Sequence, residues 1–300
     1  MIFYTKKRQK LIEDIQKKQR SGSYYGESFG RLKENKVAIL GFVIIAAFIL
    51  LAVFAPAVAP YDPYQQTWEN MLKAPSAEHP AGTDELGRDI LSRLIYGARI
   101  SLSIGFMIEI LAVSIGVTLG CIAGYYGGIW DSIIMRLTDI IFAFPSLIFA
   151  IAIMFALGPG LMNVFFALAI ISWAGTARLI RGQVLHIKEL EYIEACRAIG
   201  EKDFEIILKH IVPNCLPTII VIITLGIPDA IMSEASLSFL GLGAQPPMAS
   251  WGSMIYNART YIMQAPTYSV FPGICIMLIV LSFNLLGDGL RDALDPRLKD

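Results

Sequence analysis

Six apolar runs, each near the length needed to cross a bilayer, constrain this chain more than any other feature. They fall at residues 37–58, 100–124, 133–157, 164–180, 216–231 and 270–286. A helix rises about 1.5 Å per residue, so a hydrocarbon core about 30 Å thick takes about 20 apolar residues. No water is available there to satisfy backbone N–H and C=O groups, so lone runs of this kind must be helical. The fourth and fifth runs are short or interrupted, which leaves their ends open. Charged residues make up only 17% of the chain and mean hydropathy is +0.58, against about 25% charged residues in soluble domains. The expected class is an all-α membrane protein with about six transmembrane helices.

Charge placement supplies an orientation. Ten of the 25 Lys and Arg precede Val37, from Lys6 to Lys36. Placing the amino terminus in the cytoplasm leaves only Lys73, Arg88, Arg93, Arg99 and Arg259 outside, as the positive-inside rule requires. The expected organisation is a cytoplasmic tail 1–36, a first span 37–59 and an external loop region 60–99. A core 100–290 follows, with a cytoplasmic region 185–213 and an external loop 241–268, and then a cytoplasmic tail 291–300. The net charge of zero hides this asymmetry and indicates no nucleic-acid partner. Cys121, Cys196, Cys215 and Cys275 show no paired spacing, so no disulfide framework is expected.

The stretch EYIEACRAIGEKDFEIILKHIVP, residues 191–213, is polar and helix-prone in an otherwise apolar chain. Leu190, Ile193, Cys196 and Ile199 recur at helical spacing, as do Phe204, Ile207, Leu208 and Ile211. Two short amphipathic helices are expected, hinged at Gly200 and ended by Pro213. Such a knob suits docking into another protein; a merely solvated loop is the plainer reading. In the loop region 60–99, Thr83-Asp84-Glu85 reads as the start of a helix over 86–94. Its charges, Arg88, Asp89 and Arg93, read as salt bridges, with a catalytic cleft as the competing view.

Acids inside apolar runs need a reason, because one at mid-bilayer costs roughly 2.5–3.5 kcal/mol on insertion scales. Glu109 and Asp229 are therefore candidate pathway-lining residues. For Glu109 the preferred reading is a neutral acid hydrogen-bonded to a neighbouring helix. Pro228 is expected to break the fifth helix and open a water-lined cavity beside Asp229.

Glu194-Ala195-Cys196, then Gly200, then His210-Ile211-Val212-Pro213 resembles the "EAA" signature of ABC-importer permeases, with Cys196, His210 and Val212 departing from the pattern. The segments RLKENKVAILGFVII (31–45), HPAGTDELGRDILSRLIYGARISL (79–102), EASLSFLGLGAQPPMASWGSMI (234–255) and GDGLRDALDPRLK (287–299) resemble the oligopeptide/dipeptide/nickel branch of that family, in its C-type permease subunit. The resemblance implies a type I ABC importer permease fold with a cytoplasmic coupling helix. It implies an ATPase-coupling motif at Glu194, Ala195, Gly200 and Pro213. The implied partners are a second permease subunit, two ATP-binding cassette subunits and an external solute-binding protein that delivers di- or oligopeptides, or nickel.

No phosphate-binding G-x-x-x-x-G-K-[ST] loop, H-E-x-x-H or G-x-S-x-G motif is present, so no catalytic residue, metal site or cofactor is expected and ATP hydrolysis falls to a partner. His79, His186 and His210 are too scattered to suggest a shared metal. The competing class is a self-sufficient channel or secondary transporter using Glu109, Asp139 and Asp229. An intramembrane enzyme is more distant.

Overall fold

The structure, a computed structural model, describes residues 30–294. Most of the expected amino-terminal tail, with its basic residues from Lys6 to Arg20, lies outside the described residues, as do residues 295–300 with Arg297 and Lys299.

Helix α1 (Lys36–Val53) opens on Asn35, whose side chain accepts the N–H groups of Val37 and Ala38. A short α2 (Ala55–Val58) extends it. Next comes the long α3 (Ile90–Tyr126), capped by Asp89, whose carboxylate accepts the Ser92 N–H at 2.7 Å. The helix expected over 86–94 does not form, and the second apolar helix begins at Ile90 instead of 100. The reason lies in Asp84. Its Oδ1 accepts the Leu86 and Arg88 N–H groups at 2.9 Å each, which closes a tight turn through Gly87 at φ 71°. A short acidic side chain that satisfies local donors competes with helix in this way.

The third apolar run is not one straight span. It forms α4 (Gly128–Phe142) and α5 (Ser146–Leu157), bent by 91° at Pro145, and a residue before proline disfavours the helical region. Then come α6 (Leu161–Ile187), the short α7 (Glu191–Ala198) and α8 (Asp203–Ile206). A π turn at Ile207–Ile211 carries the chain directly into α9 (Val212–Phe239). Pro213 therefore does not stop a helix. It occupies the first turn of α9, where its missing N–H costs little, and the Val212 N–H reaches back to Ile207 O. Pro228 does not break the helix either, because α9 runs through Pro217 and Pro228 without interruption. Helices α10 (Trp251–Ala258) and α11 (Pro266–Leu294) complete the chain. Among the described residues, five helices are long and apolar enough to cross a membrane, or six where the bent pair counts as one span.

Close backbone approach holds the bundle together. Gly116, Gly120 and Gly124 on α3 face Thr176, Ile180 and Val184 on α6, and a Cβ on any of them would lie within 3 Å of that helix. Small residues at four-residue spacing let membrane helices pack this tightly, since hydrophobicity alone draws no helices together in lipid. Trp251 on α10 is fully buried and donates from Nε1 to Leu94 O at 3.1 Å, fastening the loop 241–268 onto the start of α3. The bundle thus has a loop end, built from 60–89 and 240–265, and an elbow end, built from 188–211.

Candidate functional site

Gly200 sets the geometry of the elbow. Its φ of 86° lies in the left-handed region, and no atom stands within 4 Å of where a Cβ would be. Glycine is there for its backbone and not for space. The turn closes with the Gly200 N–H on Arg197 O and the Glu201 N–H on Cys196 O.

The two apolar stripes expected here are split by burial. Ile193, Ile206 and Ile211 are fully buried against Val184, Ile187 and Cys215, which pins α7 and the π turn to the bundle. Ile199 is 81% exposed and Phe204 67% exposed, on either side of Gly200. Large apolar side chains standing this far out of a fold mark an interaction surface when they cluster.

Beside them opens a cavity of about 410 Å³, lined by Tyr125, Lys188, Glu194, Arg197 and Asp203 among others. The Tyr125 hydroxyl donates to Asp203 at 2.7 Å, the Arg197 guanidinium lies 5.1 Å from the Tyr125 ring centre, and Lys188 donates to Gly124 O at 2.8 Å. Glu194 is exposed and makes no ion pair within the described residues. Ala195 and Pro213 are exposed as well. The sequence reading missed Tyr125, Lys188 and Asp203, which reach the elbow from three separate segments with no common motif.

Cys196, Glu201 and His210 also converge here. His210 Nε2 lies 3.0 Å from a Glu201 oxygen and 3.7 Å from Cys196 Sγ. Burial, with the Glu201 carboxylate beside it, pushes the Cys196 thiol up from its ordinary range. The sequence did carry a signal, because Cys196 and His210 are two of the three departures from the motif.

The two acids of the apolar runs sit on the packed helices α3 and α9. Glu109 is only 5% exposed and lies against Gly226, where a Cβ would collide with its carboxyl group. Asp229, one turn further along α9, is exposed. Asp139, the third acid of the competing transporter reading, instead pairs with Arg178 at the bundle surface.

At the loop end, Asp84 Oδ2 accepts Arg88 Nε at 2.6 Å and lies 3.3 Å from Arg93 Nε, while Asp89 holds His79 at 2.9 Å. All are buried, and Arg93 also donates to Pro63 O at 2.9 Å. These charges staple the loop to α3, which is the structural reading of the 79–102 motif.

Two family models match this chain. Residues 116–300 fit the inner-membrane component of binding-protein-dependent transport systems, and residues 23–75 fit the N-terminal transmembrane domain of oligopeptide transport permease C. The chain belongs to the inner-membrane components of binding-protein-dependent transport systems. It is a permease subunit of an ABC importer, not an enzyme. It is 50% identical to the dipeptide transport system permease protein DppC of Alkalihalophilus pseudofirmus, over 92% of this chain and 91% of that one. It is 45% identical to the glutathione transport system permease protein GsiD of Pectobacterium atrosepticum, over 91% of each. Among solved structures, a chain from the inward-facing MetNI methionine ABC transporter matches with TM-score 0.55 at 20% identity, covering 69% of this permease and 98% of that chain. That likeness gives the type I ABC importer permease fold.

Proposed function

We propose that this permease lines half of a pathway for di- and oligopeptides and that its elbow is the point where an ATPase subunit drives it. The observation that carries the coupling role is the pair Ile199 and Phe204, standing out on either side of a left-handed Gly200. Glu194, Ala195, Gly200 and Pro213 then form the ATPase-coupling motif, with Glu194 free to meet a basic group on the partner. The complex holds a second permease subunit, two ATP-binding cassette subunits and an external solute-binding protein that docks on the loop end. The relatives named for dipeptides and glutathione support a peptide cargo.

Orientation follows from the basic residues, 20 of 25 of which fall on the elbow side of the bundle or in the two tails. Both termini and the elbow then face the cytoplasm. Asp229 is the pathway-lining acid of choice, because an exposed carboxylate within a span must face water or a partner chain and not lipid. Glu109 stands behind it.

Thiol labelling tests the orientation. In intact cells, engineered cysteines at Gln65 and Met263 react with an impermeant reagent, and one at Ile199 reacts only after the cells are opened. Reaction at Ile199 with silence at Gln65 reverses the assignment. Purification tests the coupling: an ATPase subunit copurifies with the wild-type permease and is lost from a double Ile199→Asp, Phe204→Asp variant. Retention of the ATPase by that variant removes the coupling role.

A further inference from the structure

The elbow holds one group of side chains that docking does not use. Cys196 belongs to α7, Glu201 follows Gly200, and His210 sits in the π turn, each partly buried. One donor atom from each lies within 4.8 Å of the other two. We propose that Cys196, Glu201 and His210 bind a divalent metal ion, zinc first, in a three-ligand site with an open fourth position.

The distances fit. Zinc takes sulfur at about 2.3 Å and imidazole nitrogen at about 2.0–2.1 Å, so a tetrahedral angle puts the two about 3.6 Å apart. Cys196 Sγ and His210 Nε2 are 3.7 Å apart. Nitrogen and carboxylate oxygen on one ion come out about 3.4 Å apart by the same reckoning, against 3.0 and 3.3 Å from Nε2 to the two Glu201 oxygens. A thiolate, an imidazole and a carboxylate form a borderline-soft set that suits zinc rather than magnesium or calcium.

The chemistry balances without a further reactant. The ion displaces the Cys196 thiol proton to solvent, takes the lone pair of His210 Nε2 while the ring proton sits on Nδ1, and takes one Glu201 oxygen. The surroundings hold the ligands in place. Lys209 Nζ stands 3.9 Å from Glu201 Oε1, which leaves Oε2 to the metal, and Asn214 Nδ2 donates to His210 O at 2.6 Å and to the Tyr192 hydroxyl at 3.1 Å. The i→i+5 turn at Ile207–Ile211 is the local distortion that carries His210, and turns of this kind recur at functional sites.

The ligands flank Gly200, with Cys196 before it and Glu201 and His210 after it. A bound ion therefore fastens α7 to the start of α9 across the hinge. This mechanical consequence rests on the coupling reading above, whereas the binding itself does not.

Cobalt reports on the site directly. The full-length permease, purified in detergent and freed of metal, is titrated with Co²⁺ and then with Zn²⁺. A single Co²⁺ per chain is expected, with a thiolate-to-cobalt charge-transfer band and strong tetrahedral visible absorption, both removed by Zn²⁺. Cys196→Ala abolishes the band. His210→Ile and Glu201→Gln weaken binding at least as much as losing an outer-shell partner does, roughly 10–100-fold.

No band in the wild type, a band that survives Cys196→Ala, or affinity unmoved by His210→Ile each overturns the site. The trio is then a Glu201–His210 pair with a bystander thiol. A second measurement needs no variant: Zn²⁺ slows alkylation of Cys196 in the wild-type chain, read by peptide mass, and an unchanged rate overturns the proposal. In the assembled importer, Zn²⁺ slows ATP turnover for the wild type and not for Cys196→Ala. Equal turnover with the cobalt band intact removes only the hinge consequence, while failure of the ATPase to copurify speaks against the coupling reading instead.

Discussion

Each end of the bundle carries a group of four charges near its centre, and the two groups are held in opposite ways. At the loop end, Asp84, Arg88, Asp89 and Arg93 are turned inward, each less than 5% exposed, and bonded to one another or to backbone. At the elbow, Glu194, Arg197, Lys202 and Asp203 are exposed, and it is Ile199 and Phe204 that lack cover. Buried charges must be fully paired because desolvation is expensive, so the loop end admits few alternative arrangements. The elbow is pinned by Ile193, Ile206 and Ile211 beneath it, while its outer face around Gly200 carries uncovered apolar groups and, among the described residues, no such buried ion pairs. One end is held by buried ion pairs, and the other is the end that moves on the coupling role proposed above.

The largest test of that contrast removes one buried carboxylate. Asp84→Ala removes the buried carboxylate that Arg88 and Arg93 share, leaving Arg88 only Glu85 and Arg93 only the Pro63 carbonyl, and breaking a buried pair costs about 3–5 kcal/mol. The expected outcome is a large fall in thermal stability in detergent, or loss of folded protein altogether. Asp139→Ala removes the partner of Arg178 from an exposed pair whose side chains are 68% and 46% exposed, and should cost about 0–1 kcal/mol. Equal losses from the two variants would break the comparison.

At the elbow the expected effect is functional. Gly200→Val forces a β-branched residue to φ 86°, a local cost of about 1–2 kcal/mol for an L-residue in that region. Membrane insertion and most of the stability should survive while substrate uptake fails, with the ATPase detached or uncoupled. Normal transport with the ATPase still bound would show that the hinge needs no glycine.

The smallest effect concerns the middle of the bundle. Asp229→Asn should lower uptake of peptides with a free cationic amino group, leaving assembly and ATP turnover largely unchanged. Glu109→Gln, at a site packed against Gly226, should change uptake less. A larger loss at Glu109 would reverse their assignment.

Much of this was legible in one dimension. The apolar runs and their charge flanks determined the class, an approximate number of crossings and an expected orientation, because a bilayer leaves the backbone few options. The motif around Glu194 and Gly200 marked the elbow, and the hinge expected at Gly200 takes a left-handed angle. Elsewhere local signals misled. Thr83-Asp84-Glu85 resembled a helix start, yet the Asp84 side chain closed a turn instead. Pro213 and Pro228 resembled helix ends, yet a first-turn position and a packed bundle absorbed them. What only the tertiary structure decided was proximity: Tyr125 beside Asp203, Glu109 against Gly226, and Cys196 with Glu201 and His210. Periodicity shows which face of a helix is apolar, but which faces meet depends on glycine contacts and turn angles summed over the whole bundle.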